Sequence, residues 1–142
     1  MLRLTLNSLP LALRLEALAS RLTDLQGLME RLAPVAARAI ERNFDAEGRP
    51  ERWPPLAPAT LRRKPPGLKI LERTGRLRRS ISTRVHGNAV VISTDVPYAA
   101  AHQFGVPQGR LPARPFLVLT TEDLDALART LAESLANTVP EP

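Results

Sequence analysis

Leu11, Leu15, Leu18, Leu22, Leu25, Met29 and Leu32 recur in alternating steps of four and three. This heptad-like seam predicts an amphipathic helix. Asn7 or Ser8 can cap its start, and Pro10 is tolerated in the first turn. Pro34 is expected to break or kink it. Val35, Ala36, Ala39, Ile40 and Phe44 carry a second amphipathic stretch to about Asp45, with Gly48 as the stop.

Between Gly48 and Gly75 the pattern dissolves. Six prolines (Pro50, Pro54, Pro55, Pro58, Pro65 and Pro66) exclude long regular structure, although a helical turn fits Pro58–Arg63. Ile81, Thr83 and Val85 then alternate with polar neighbours, Gly87-Asn88 marks a hairpin turn, and Val90–Thr94 reads as the return strand. A short helix is predicted over Pro97–Phe104 and a loop over Val106–Ala113. A further strand is predicted over Arg114–Leu119. The last helix starts near Thr120 or Thr121, with Glu122 and Asp123 in its first turn and a buried stripe of Leu124, Leu127, Leu131 and Leu135. Thr138 to Pro142 reads as a frayed tail.

This order predicts an α+β fold with a long N-terminal helix, a small, mainly antiparallel sheet, a C-terminal helix and a long Pro-rich loop. The 142 residues suit one domain: a helical arm over 1–46, the Pro-rich loop over 47–75, and sheet plus helices over 76–137.

The chain carries a net charge of +6, and 18 of its 20 basic residues are Arg. From Arg49 to Arg79 ten basic residues face two acidic ones, a local +8 that leaves the remainder near −2. A basic middle between near-neutral ends suggests a surface for an acidic partner, protein or nucleic acid.

Candidate chemistry is sparse. Without Cys there is no disulfide, thiol nucleophile or thiolate zinc site, which fits a cytosolic assembly environment. The N-terminus has no apolar run approaching the roughly 20 residues of a membrane span and makes a poor signal peptide, so a soluble intracellular protein is expected. His86 and His102 do not make a closed zinc site, and no cofactor motif is present. Asp95 and His102 with Ser80, Ser82 or Ser93 lack the spacing of a hydrolytic triad. No catalytic, cofactor or metal residue is therefore assigned, and a non-enzymatic protein is expected.

The residues that stand out are suited to contact. Trp53, the only Trp, reads either as an anchor pinning the Pro-rich loop to the core or as an interface hot spot. His102, beside Tyr98 and Phe104, reads as a packed His bonded to backbone or as a contact at a subunit boundary. Arg114, between Ala113 and Pro115, suits a fixed fork to a carboxylate or to backbone carbonyls. Arg76, Arg78 and Arg79 form a basic segment with neither recognition helix nor aromatic platform, which leaves a protein-facing surface or nonspecific phosphate contact.

Several short motifs occur in a particular order. Asn43-Phe44, Gly48-Arg49-Pro50, Trp53-Pro54-Pro55-Leu56 and Ala59-Thr60-Leu61 come first. Leu71 and Thr74–Ile81 follow, then Pro97–Gly105, which contains Tyr98-Ala99-Ala100-Ala101-His102-Gln103-Phe104-Gly105, and Leu111–Leu117, which contains Arg114-Pro115-Phe116. This series, covering about Ala36 to Leu135, resembles the Mu-type phage virion morphogenesis family, also described as tail completion proteins. The resemblance implies a structural subunit of a phage tail or neck, at the head–tail junction, working as a homo-oligomeric ring with other tail or neck proteins. It implies no cofactor and no catalytic residue. It places the protein in the virion tail or neck, assembled in the host bacterial cytoplasm, with no membrane partner. Trp53, Arg76, Arg78, Arg79, Tyr98, His102, Gln103, Phe104, Arg114 and Phe116 are the expected interface residues. On that reading Arg114→Ala and Trp53→Ala abolish assembly and leave the monomer folded. The rival reading is a basic DNA-binding module of a prophage or phage particle.

Overall fold

The computed structural model describes residues 1–6 and 25–137. The first part of the leucine seam, its caps at Asn7 or Ser8, and the tail from Thr138 lie outside the described residues.

The fold is α+β. A strand β1 (Leu2–Leu6) precedes a long helix α1 (Leu25–Asp45), followed by short helices α2 (Pro58–Arg63) and α3 (Arg76–Ser80). A hairpin β2 (Ser82–His86) and β3 (Ala89–Thr94) leads to helix α4 (Ala99–Phe104), a 3-10 turn at Pro107–Gly109, and the last helix α5 (Thr121–Ala136). The three strands form one antiparallel sheet in the order β1-β3-β2. One face of the sheet packs on α1, and α1 packs on α5.

The hairpin forms where alternation and the Gly87-Asn88 turn place it. Along β3, Val90, Ile92 and Thr94 are buried while the intervening residues are half-buried. β1 corrects the expectation of an N-terminus without a strand. Leu2 and Leu4 alternate with Arg3 and Thr5 and pair with Thr94 and Ile92, so the period of two was present over a short run.

α1 corrects the expected break. It runs unbroken through Pro34 for 21 residues. Pro34 lies on the exposed face, and the buried residues continue on both sides of it, from Leu28, Met29 and Leu32 to Ala36, Ile40 and Phe44. A proline on the outer face removes one backbone bond and leaves the core stripe intact, so burial on both flanks holds the helix together. The helix ends at Asp45, and the turn after it closes at Gly48, whose N–H donates to the Asn43 carbonyl (2.8 Å). A Cβ at Gly48 would lie 2.5 Å from the Trp53 nitrogen, so the chain turns there only without a side chain.

At the centre Phe44 meets Trp53 edge-on and Phe116 at a tilt, both with ring centroids 5.7 Å apart. Such aromatic contacts are worth about 0.5–1.5 kcal/mol each beyond the area they bury.

α5 begins as expected. The Thr120 side chain accepts from the Asp123 N–H, and the Asp123 carboxylate accepts from the Thr120 N–H, forming a capping box. Its buried stripe differs from the predicted one. Leu127 and Leu131 are buried, Leu135 is half-buried, and Leu124 is 49% exposed, while Asp123 and Ser134 are buried. Asp123 turns inward to meet α1, and that rotation carries Leu124 toward solvent.

Candidate functional site

The residues from Tyr98 to Phe116 form a shelf built on side-chain-to-backbone bonds. The segment Arg114–Leu119 joins no sheet and bends at Leu117, which corrects the predicted strand. Its backbone groups find side chains instead of a neighbouring strand. Gln103 Oε1 accepts from the N–H groups of Phe116 and Leu117, both at 3.0 Å, and Gln103 Nε2 donates to the Leu117 carbonyl at 3.2 Å. Asn43 Nδ2 donates to the carbonyls of Phe116 (2.9 Å) and Val118 (2.8 Å), and Trp53 Nε1 donates to the Pro115 carbonyl (2.8 Å). Buried backbone groups need partners, and three side chains from distant elements meet that need.

Gly105 allows the turn below the shelf. Its φ is +76°, and a Cβ there would lie 2.8 Å from the Ala113 nitrogen. The Val106 N–H donates to the Leu111 carbonyl at 2.9 Å, closing the 106–111 loop on itself.

Arg114 is buried, and its fork closes on the Pro-rich arm. Nε donates to the Pro54 carbonyl (2.9 Å) and Nη2 to the Pro55 carbonyl (3.0 Å). Burial lowers its pKa from the ordinary arginine value. Of the two partner types expected for this fork, carbonyls are the ones found. Trp53 and Phe116 are core residues, at 4% and 0% exposure. The anchor reading of Trp53 is therefore realised within the protomer. Substituting Trp53 or Arg114 removes fold contacts as well as any interface, so neither variant leaves the monomer unperturbed.

The basic segment does not act as one surface. Arg78 is clamped by Glu41, Asp45 and Glu72, and its guanidinium carbon lies 5.8 Å from the centre of the Phe44 ring. The Glu72 bond, followed by Asp45 and Glu41, raises its pKa against the opposing effect of burial. Arg79 Nη2 donates to the Thr74 carbonyl (2.9 Å), and Arg76 is exposed. Of the three, Arg78 is structural.

Further positive charge lines a groove. An open groove of about 1080 Å³ runs between the Pro-rich arm, the start of α4 and the loop from Gly109 to Pro112. Its charged lining residues are Arg63, Lys64, Lys69, Arg73, Arg110 and Arg114, with no acidic residue among them. Leu56, Leu71, Leu77, Leu111 and Tyr98 supply apolar lining. Lys69 donates to the Asp45 carbonyl (2.8 Å) and Arg114 holds the arm, whereas Arg63, Lys64, Arg73 and Arg110 form no ion pair among the described residues. Tyr98 and His102 share the groove wall, ring centroids 5.7 Å apart and nearly perpendicular. His102 Nδ1 is buried without a hydrogen-bond partner among the described residues, and its backbone carbonyl accepts from the Arg114 N–H (2.7 Å). Burial first, and the Arg114 charge second, lower the His102 pKa, which favours the neutral ring. Phe104, at 70% exposure, projects into solvent from the end of α4.

Sequence reasoning placed Asn43 and Arg49 in motifs and Asp123 in a helix first turn, but gave none of them a site role. Asn43 sits fully buried on the α1 stripe. Arg49 donates to Asn43 Oδ1 (3.3 Å), to the Thr120 hydroxyl (3.0 Å) and to Asp123 Oδ1 (2.7 Å), and Arg42 bonds the same carboxylate. The available signal was polar: Asn43 falls three residues after Ile40 on an otherwise apolar face, a position that demands partners.

Among the described residues no helix is long and apolar enough to cross a membrane. No solved structure matches the chain. A curated relative, Mu-like prophage FluMu G protein 2 of Haemophilus influenzae, is 36% identical over 122 residues, covering 82% of this chain and 83% of the relative. The profile of the phage virion morphogenesis family matches residues 6–136, a span that holds the shelf, the arm and the groove. The chain belongs to the phage virion morphogenesis family.

Proposed function

We propose that this protein is a non-enzymatic structural subunit that completes the phage tail or joins it to the head at the neck, and that it works as a ring. The relative's name, which places it in a Mu-like prophage, supports a phage or prophage setting. The observation that carries the reading is the groove: cations without ion pairs and apolar residues line it together, a composition that suits a docking surface. The polar side chains beside it are occupied in holding backbone, as Gln103 and Arg114 show. The virion tail or neck is then its site of action, with assembly in the host bacterial cytoplasm. Deleting its gene from an inducible prophage tests this. Particles with unjoined heads or defective tail ends are expected, and normal infectious particles would overturn it.

The same cations favour a second reading, nonspecific contact with DNA. It predicts binding that weakens steeply with salt and is lost when Arg63, Arg73 and Arg110 become Gln. Absence of binding by the wild-type protein at low salt removes this reading.

A further inference from the structure

The Pro-rich arm is bonded to the body near its two ends and not between them. At one end the Arg114 fork holds the carbonyls of Pro54 and Pro55. At the other, Glu47 Oε2 accepts from the Ile70 N–H (2.9 Å) and Lys69 Nζ donates to the Asp45 carbonyl (2.8 Å). From Leu56 to Leu68 the hydrogen bonds among the described residues are all internal: the Thr60 and Leu61 N–H groups donate to the Ala57 carbonyl, and the Leu68 N–H to that of Pro65. No residue from Pro54 to Lys69 is buried. α2 buries nothing and has no side-chain cap, and its six residues fall short of the roughly 12 that an isolated helix needs. A segment with so few buried contacts opens at low free energy, separately from the core. Firm posts stand on either side of it: Trp53 is buried, and Glu72 is paired with Arg78.

Strain and charge both work against the closed position. Leu71 has φ +63°, a left-handed conformation that its side chain disfavours, and it follows Ile70, whose N–H is held by Glu47. Breaking that bond frees Leu71 to return to an ordinary conformation. Arg63, Lys64 and Lys69 of the arm share the groove with Arg73, Arg110 and Arg114 of the body, and no carboxylate lines it. Like charges push the arm outward, and none of the bonds that hold it is an ion pair.

We propose that Pro54–Ile70 is a strap that opens as a unit between the posts at Trp53 and Glu72, and that ionic strength sets how much of it is closed. Salt shortens the reach of the repulsion and leaves the bonds to carbonyls and to the Ile70 N–H in place, so the closed form gains as salt rises. Lifting the strap uncovers the body wall of the groove, where Leu77, Tyr98 and His102 lie. The device is independent of the ring and neck reading.

The chain has no cysteine, so spin labels on Leu61→Cys and Asp125→Cys, both exposed positions, read the distance from strap to body in the full chain. Sodium chloride is raised from about 0.01 M to about 1 M, over which the Debye length falls from about 30 Å to about 3 Å. Two distances are expected at low salt, and the ratio of closed to open should rise several-fold at high salt. Exchange of the Thr60 and Leu61 amides should slow several-fold over the same range while β3 stays unchanged. Arg63→Gln with Arg110→Gln, both exposed, should hold the strap closed at low salt. Glu47→Ala should shift it open at every salt. A single distance throughout, with strap amides exchanging as slowly as those of β3, overturns the strap. Two distances whose ratio ignores both salt and the double Gln variant overturn the control by charge. Opening that carries the β3 amides with it is global unfolding and overturns the separate unit.

Discussion

The side-chain amide of Gln103 pairs with the backbone of Leu117 as a neighbouring β-strand would, with Oε1 accepting from the Leu117 N–H at 3.0 Å and Nε2 donating to the Leu117 carbonyl at 3.2 Å. The same Oε1 takes the Phe116 N–H. One residue of α4 therefore holds the chain entering α5, without a sheet.

Replacing Gln103 by Leu leaves two N–H groups and one carbonyl without their partner. Each unsatisfied buried group costs about 1–3 kcal/mol, so a loss of about 3 kcal/mol in urea-derived stability is expected. Gln103→Glu keeps the acceptor but opposes a carboxylate oxygen to the Leu117 carbonyl, and should recover only part of that loss. A Gln103→Leu variant as stable as wild type would show that the shelf does not depend on this amide.

Asp123 makes stability depend on acid. Its side chain is fully buried between Arg42 and Arg49. Burial alone would raise its pKa. The Thr120 N–H, the Arg49 guanidinium and the Thr120 hydroxyl outweigh that and hold it below the ordinary carboxylate value. A depressed folded-state pKa contributes stability that is present above the unfolded value, about 3.9, and is lost as pH falls through the folded one. Asp123→Asn should lose about 3 kcal/mol at pH 7, as expected when one partner of a buried ion pair is removed. The gap from wild type should narrow below about pH 4. Urea unfolding between pH 7 and 3 measures both, and a gap that stays constant over that range contradicts the assignment.

Trp53 and Arg114 clamp the Pro-rich arm from two sides, through the Pro115 carbonyl and through the carbonyls of Pro54 and Pro55. Trp53→Ala should cost about 3–5 kcal/mol, the range for truncating a buried aromatic. Arg114→Lys keeps the charge but not the fork, so it should release the arm while leaving the sheet intact. Hydrogen exchange should then rise over residues 52–64 and stay unchanged over β3. Uniform protection in Arg114→Lys would rule out the clamp.

Local signals were legible in the sequence by itself. The hairpin could be read because alternation and the Gly87-Asn88 turn are near-neighbour preferences, and the start of α5 because a capping box spans four residues. The α+β class, the length of the Pro-rich arm and its central basic charge follow from the same short-range information. So does the order of motifs that marks the family.

Tertiary structure decided which groups meet. Arg114–Leu119 has the composition of a strand, yet Asn43, Trp53 and Gln103 reach its backbone first, and only folding brings them there. α1 passes through Pro34 because the core on both sides outweighs one missing bond. Arg78 looked like part of a free basic patch until three carboxylates, two of them from α1, closed around it. Leu124 faces outward because Asp123 is drawn to Arg42 and Arg49. Periodicity and capping depend on the nearest few residues, whereas the partner of a charge or an amide depends on distant segments that pack against it.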